Sequence, residues 1–227
     1  MRPKTSRHSA TGLQPYEWVS MRSVEVARRL NSRCLTLIAR VANTDPACDL
    51  EIVKRHRELW GRFDNRACER AARIPIVLLD CHFSEVEWWN RVVANGRPPA
   101  GSPCNSPCFA PDEAAPLLRE ILVEARTIAI SEPRAASLIL GAPSAIVSAV
   151  AALTSTNIDG LSAACANELR PRWEDRFVFW KNLLVAAVGN ADDALSEVSF
   201  HSLQMLGSDL MGPQLGGAGR KARPKPQ

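Results

Sequence analysis

No stretch of this 227-residue chain approaches the roughly 18 to 20 consecutive apolar residues that a membrane-spanning helix needs. Its basic start, Met1-Arg2-Pro3-Lys4-Thr5-Ser6-Arg7-His8, is followed by no apolar segment of the kind that makes a secretory signal. A cytoplasmic protein without membrane contact is the expectation. Also missing are a glycine-rich phosphate loop, a His-Glu-x-x-His pair and a nucleophile elbow. The four histidines, at 8, 56, 82 and 201, are far apart, and a Cys81–His201 catalytic pair would require the fold to join them. The seven cysteines are odd in number, and five of them have no paired spacing, so reduced buried thiols are expected. Cys104 and Cys108 sit in a Pro-rich stretch and lack the second pair that a zinc site demands. The adjacent Cys81 and His82 chelate awkwardly from one short segment. The carboxylates Asp192, Asp193 and Asp209 read as helix-dipole partners and surface groups. No enzyme activity, metal or cofactor is expected.

What is present is enough apolar material for a core. Hydrophobic residues make up 46% and charged residues 23%, an ordinary balance for a globular chain. The net charge of +4 is unevenly placed. Residues 1–12 hold three basic side chains and no acid, and residues 213–227 hold four (Arg220, Lys221, Arg223, Lys225) and no acid. Removing those seven leaves 21 basic against 24 acidic residues, so the body is about −3. A nucleic-acid-binding face gathers Lys and Arg on one folded surface, and an acidic body argues against strong non-specific binding there. The tails read as solubilising disordered ends that can add phosphate affinity.

Five prolines with Gly and Ser over 97–112 mark a connector, because proline cannot continue a helix and restricts the residue before it. The expected organisation is a basic tail (1–12), a helical part (13–96), the connector (97–112), a second helical part (113–212) and a basic tail (213–227). In the first part Val24, Ala27, Leu30, Cys34, Leu37 and Ile38 recur at helical spacing. A second helix over about 49–72 buries Ile52, Leu59, Trp60 and Phe63. The run Ile74–Leu79 has no partner strand, so it reads as a buried turn or extended crossover. Ser84 and Glu87 form a capping box for a helix carrying Trp88 and Trp89. One of that pair packs inward, and the other, if exposed, is a partner contact.

In the second part Leu117, Leu118, Ile121, Leu122, Ala125, Ile128 and Ala129 follow the helical period. Ser131-Glu132-Pro133 opens a short helix with Ser131 as N-cap, and Gly141 closes it in the left-handed conformation. Ile146, Val147, Val150, Ala151 and Leu153 line the next helix. Thr154 or Ser155 caps the one after, and two more follow over about 174–188 and 190–211. From Gly212 onward the composition predicts disorder. The expected fold class is all-α, without a sheet.

Four local features occur in order: Ala125-Arg126-Thr127-Ile128 before Ser131-Glu132-Pro133-Arg134-Ala135-Ala136; Leu138-Ile139-Leu140-Gly141; Val150-Ala151-Ala152-Leu153-Thr154; and Arg170-Pro171-Arg172-Trp173-Glu174-Asp175. Over about 118–184 this order resembles FlhD, the helical subunit of the flagellar master regulator. The resemblance implies a transcriptional co-activator subunit, dimeric in the family, that joins a zinc-containing FlhC-like partner to engage RNA polymerase promoters. It places DNA contacts at Ser155, Thr156, Asn157, Arg170, Arg172 and Arg176, with Trp173 as a partner-contact candidate beside Trp88 and Trp89, which are candidates through exposure alone. The chain departs from the family in its additional N-terminal helical part and in a recognition helix poor in base-reading side chains, where Asn157 alone qualifies and Asp159 repels phosphates. DNA reading would then fall to the partner. The alternative reading is a non-enzymatic helical adaptor or accessory protein of a motility or secretion system. There Arg170, Arg172 and Arg176 serve as ion-pair partners of Glu168, Glu174 and Asp175.

Overall fold

Ser20 starts the first described helix by accepting the N–H of Ser23 on its hydroxyl at 3.2 Å. Its own N–H and O–H donate to the Glu132 carboxylate at 2.9 and 2.7 Å, which ties the start of the chain to its second half. In this computed structural model the described residues are 19–46, 48–95 and 107–215, with side chains through 211. Helix α1 (Met21–Thr44) touches helices from both sides of the connector, so its buried face is wide. Ala27, Leu30, Cys34, Leu37 and Ile38 face inward as their spacing predicts, whereas Val24 is exposed and Val26 takes the inner position.

The helix expected over 49–72 is broken into α2 (Glu51–Arg55), α3 (Arg57–Gly61) and α4 (Asn65–Ala71). At the first break the His56 ring nitrogen reaches the Phe177 carbonyl at 3.1 Å. At the second, the Asp64 carboxylate accepts the Ala67 N–H at 2.8 Å, the local competition that makes Asp a cap rather than a helix interior residue. Residues 74–80 form the extended crossover. The buried Asn31 on α1 donates to the Ile74 and Ile76 carbonyls at 2.9 and 2.8 Å and accepts the Leu78 N–H at 2.8 Å. This one amide replaces the backbone partners that a buried extended segment would otherwise lack. The crossover ends in β1 (Leu79–Asp80), which pairs antiparallel with β2 (Arg170–Pro171). The expectation of no sheet fails at this one short ladder, because the partner lies about ninety residues away in sequence and has no strand-like pattern.

Helix α5 (Val86–Asn95) opens one residue later than Ser84 could cap, since the N–H groups of Trp88 and Trp89 both donate to the Glu85 carbonyl. Helix α6 (Pro111–Ser131) begins inside the expected connector, whose residues 97–106 lie outside the described residues. Ser131 does not cap α7 (Pro133–Leu140). Its hydroxyl turns back to the Thr127 carbonyl, and Pro133 opens the helix unaided. Gly141 closes α7 at φ +60°. Then follow α8 (Ser144–Ala151), α9 (Ser155–Ala164), α10 (Phe177–Val188) and α11 (Asp192–Leu215). The last helix passes Gly212, where order was expected to end. The tail 1–12 and residues 216–227 lie outside the described residues.

The architecture is all-α and multi-helical. Helix α6 packs against α7, α8 and α9, while α10 lies between α4 and α11. The helices on both sides of the connector contribute to one buried core, where the rings of Trp60 and Trp180 meet at 6.3 Å. The connector therefore divides the sequence, whereas the packing joins its two sides. No described helix is long and apolar enough to cross a membrane. Helices α7 and α8 reach that composition only together, across a 111° bend.

Candidate functional site

Residues 169–177, singled out by the sequence, run from the end of α9 to the start of α10. A short 3-10 turn, Ala166–Glu168, separates them from α9, and they cross the place where β1, the C-terminus of α7 and α11 converge. After the β1–β2 ladder the Arg172 N–H donates to the Leu78 carbonyl at 2.8 Å. The Arg172 side chain then turns into the core and is only 6% exposed. Its Nε donates to the Val77 carbonyl at 3.0 Å, and a terminal nitrogen serves both the Leu140 carbonyl and, at 3.4 Å, the Asp80 carboxylate. Burial lowers its pKa from the usual arginine value, and Asp80 and Asp209 work against that shift. The guanidinium sits at the last turn of α7, where the exposed carbonyls favour a cation. Gly141 makes room for it: a Cβ there would come within 2.3 Å of an Arg172 terminal nitrogen and 2.5 Å of the Leu206 side chain.

Trp173 follows with φ +54°, a conformation rare for a bulky residue. Two contacts hold it. Its indole N–H donates to Asp209 at 2.7 Å, and its ring meets Phe179 edge-on at 5.1 Å. The Trp180 indole N–H is shared between the Arg172 and Trp173 carbonyls, each at 3.1 Å. The segment is thus a clasp between the two sides of the chain. It is a rigid feature of the core with its edge at the surface.

Two clefts flank the exposed edge. One, of about 410 Å³, is bordered by Asp45, Asp49, Glu51, Glu174 and Asp175, with Arg170 and Phe177. The other, of about 500 Å³, is bordered by Asp80, Glu174, Asp175 and Asp209, with Arg170, Arg172 and Trp173. Both carry more carboxylates than cations, a field that attracts positive groups and opposes phosphates.

The positions marked as DNA contacts are dispersed among structural roles. Arg172 is in the core. Arg170 is half-buried and forks onto Glu174 at 2.7 and 3.0 Å. Arg176 is exposed, 3.7 Å from Asp175. Asn157 closes a capping box with Thr154 at the start of α9, which settles that cap on Thr154 rather than Ser155. Only Ser155 and Thr156 are exposed and uncommitted. Among the residues marked as partner contacts, Trp88 and Trp89 are both buried, at 3% and 1% exposure, so the exposure required of one of them is not met. Trp173 is half-buried.

Cys81 and His201 are not brought together. Cys81 is buried, and its contact with the Cys165 thiol and its burial push its pKa well up, the reverse of an activated nucleophile. His201 is exposed on α11, in a groove with Asn182 and Glu197. His82, not expected to act, sits at φ +56° between Glu85 (2.8 Å) and Glu168 (2.7 Å), stacked on Trp88. No cluster of three or more His, Cys, Asp or Glu suited to a metal occurs among the described residues.

One group escaped the sequence reading. Arg62, Arg66, Arg70 and Arg73 border a common cleft of about 540 Å³ beside the end of α10. Their spacing of four, four and three residues was the available signal, hidden because the stretch also carries the apolar residues of a core helix. No protein-family model, curated protein or solved structure matches this chain.

Proposed function

We propose that this protein is a cytoplasmic, non-enzymatic helical adaptor that works through protein contacts, with the acidic edge of residues 170–177 receiving a cationic segment of its partner. One observation carries the reading. The arginines that gave the segment its nucleic-acid character are spent on the fold and on neighbouring carboxylates, and the surface left around them is acidic. A partner contact there gains on-rate and orientation from complementary charge.

The test is a native-host purification of the full chain beside a variant carrying Asp49→Lys and Asp175→Lys, both at exposed carboxylates. A partner that is retained by the wild type and lost with the variant supports the adaptor. Retention by both rejects this surface. In parallel, Arg170→Glu with Arg176→Glu leaves association with duplex DNA unchanged, and a loss of DNA binding in that variant would overturn the reading.

The FlhD-like regulator is the second reading. What favours it is the helix order α6 to α9, with a Pro-opened, Gly-closed α7 and a Thr154-capped α9, as in the quoted family features. In that reading a homodimer joins an FlhC-like subunit or RNA polymerase, and the partner supplies the DNA contact. Recovery of such a zinc protein or of polymerase subunits would move the regulator ahead of the adaptor.

A further inference from the structure

Arg62, Arg66, Arg70 and Arg73 lie on one face of the chain around α4, with Arg66 and Arg70 in the helix and the other two in the turns that flank it. The steps of four, four and three residues keep side chains on one side of a helical stretch. Arg70 donates a terminal nitrogen to the Ala187 carbonyl at the end of α10, which fixes its guanidinium against the cleft wall. Its Nε has no hydrogen-bond partner. Arg73 is 4.0 Å from Asp192, the outer limit of an ion pair. Arg62 and Arg66 are exposed and make no side-chain hydrogen bond or ion pair with any described residue.

Three carboxylates share the cleft, but they do not neutralise it. Asp64 caps α4, Asp192 is at the edge of Arg73's reach, and Glu69 is on α4, so three carboxylates face four guanidiniums. Several arginines elsewhere are paired with carboxylates. Arg29, Arg33 and Arg40 on α1, for example, each meet Glu113, Glu120 or Glu124 on α6. Four guanidiniums against three carboxylates leave the cleft with an excess of positive charge, and the planar forks of the uncommitted Arg62 and Arg66 can each donate two parallel hydrogen bonds to a phosphoryl group.

We infer that this cleft binds a small phosphorylated ligand through a diphosphate-sized anionic group. Size and charge favour it over a nucleic-acid backbone. The cleft is within the range of small-ligand sites, and Val188 and Asn190 bound it on the α10 side. Asn190, at φ +57°, closes α10 as a left-handed cap, with the Ala191 N–H on the Ala186 carbonyl at 3.1 Å, so the α10 side of the cleft is a fixed turn. The cleft shares no bordering residue with the acidic clefts beside residues 170–177, so the inference stands apart from the adaptor reading.

The experiment is calorimetric titration of the full-length protein with inorganic pyrophosphate, beside orthophosphate and a short DNA duplex at equal ionic strength. The proteins are the wild type, Arg62→Glu with Arg66→Glu, and Arg134→Glu as an exposed arginine outside the cleft. The expected result is pyrophosphate binding that exceeds orthophosphate, is about tenfold or more weaker in the double variant, and is unchanged in R134E. Pyrophosphate also raises the thermal midpoint of the wild type and not that of the double variant. Because Arg62 and Arg66 anchor nothing, the double variant keeps the wild-type circular dichroism. If it does not, Arg66→Gln alone is titrated in its place. No pyrophosphate binding, or equal binding by the variants, overturns the inference. Duplex binding that is tighter than pyrophosphate and lost in the double variant also overturns it, and makes the cleft a nucleic-acid contact instead.

Discussion

Replacing Arg172 with alanine removes the cation that reaches the carbonyls of Val77 and Leu140 from inside the core. Each carbonyl then loses a charged donor in a place closed to water, at about 1–3 kcal/mol apiece. Asp80 keeps access to solvent and recovers part of what it loses, since its side chain is a third exposed. Removing one partner of a buried ionic network costs about 3–5 kcal/mol in total, and the truncated side chain leaves a cavity beside Gly141 and Leu206. For a chain of this size that loss lowers the thermal midpoint by roughly 6–20 °C. Urea unfolding followed by tryptophan fluorescence is the assay, because the Arg172 and Trp173 carbonyls hold the Trp180 indole. The midpoint should fall with little change in slope, so that the shift reports stability rather than a different unfolded state. Arg172→Lys should fall between, since an ammonium is a point charge and cannot serve divergent carbonyls with a planar fork. If R172A stays within about 0.5 kcal/mol of the wild type, as an exposed substitution would, the clasp reasoning fails.

Gly141→Ala should destabilise by at least about 1–2 kcal/mol from its left-handed backbone alone, with more from the new contact on Arg172, read as a lower midpoint in thermal circular dichroism. Asn157→Ala should cost about 1 kcal/mol by opening the α9 capping box, while association with DNA stays where it was; a DNA defect without a stability defect would reverse that assignment. Glu132→Gln tests the tie to α1 through pH. The N–H and O–H of Ser20 lower the folded pKa of Glu132 below the ordinary carboxylate value of 4.5, so its contribution is present above that value and lost as pH falls through the lowered one. The wild type should therefore lose stability on acidification more steeply than the glutamine variant, by an amount kept small by exposure, in urea midpoints measured from pH 6 down to about pH 3.

The helical class and most inner faces could be read from the sequence, because a period near 3.6 is imposed by the helix itself and needs no knowledge of the neighbours. The Gly141 cap was equally legible, since a left-handed residue is chosen by local sterics. The failures share a cause. The 49–72 helix breaks where His56 finds the Phe177 carbonyl, and the Ile74–Leu79 run becomes a crossover because Asn31 supplies its hydrogen bonds. The partner of His56 is remote in sequence. The expected crossover over Ile74–Leu79 does form, and what was illegible there was that Asn31 would supply its hydrogen bonds and that its end would pair with Arg170-Pro171. Ser131 looked like a cap by position, but its hydroxyl found the Thr127 carbonyl first.

The candidate site shows the same division. By itself the sequence determined that Arg170-Pro171-Arg172-Trp173 interrupts two helices, because proline and the residue before it resist the helical backbone. It could not determine what the arginines do. Whether a guanidinium reads a phosphate, pairs with a carboxylate or binds a helix end depends on which acceptors surround it and how much water remains. Those acceptors come from Val77, Asp80 and Leu140, some thirty to ninety-five residues away. Only the tertiary structure could place Arg172 in the core and leave Arg62 and Arg66 uncommitted in their cleft. Burial turns a charge into either an anchor or a cost, and burial is set by the whole chain.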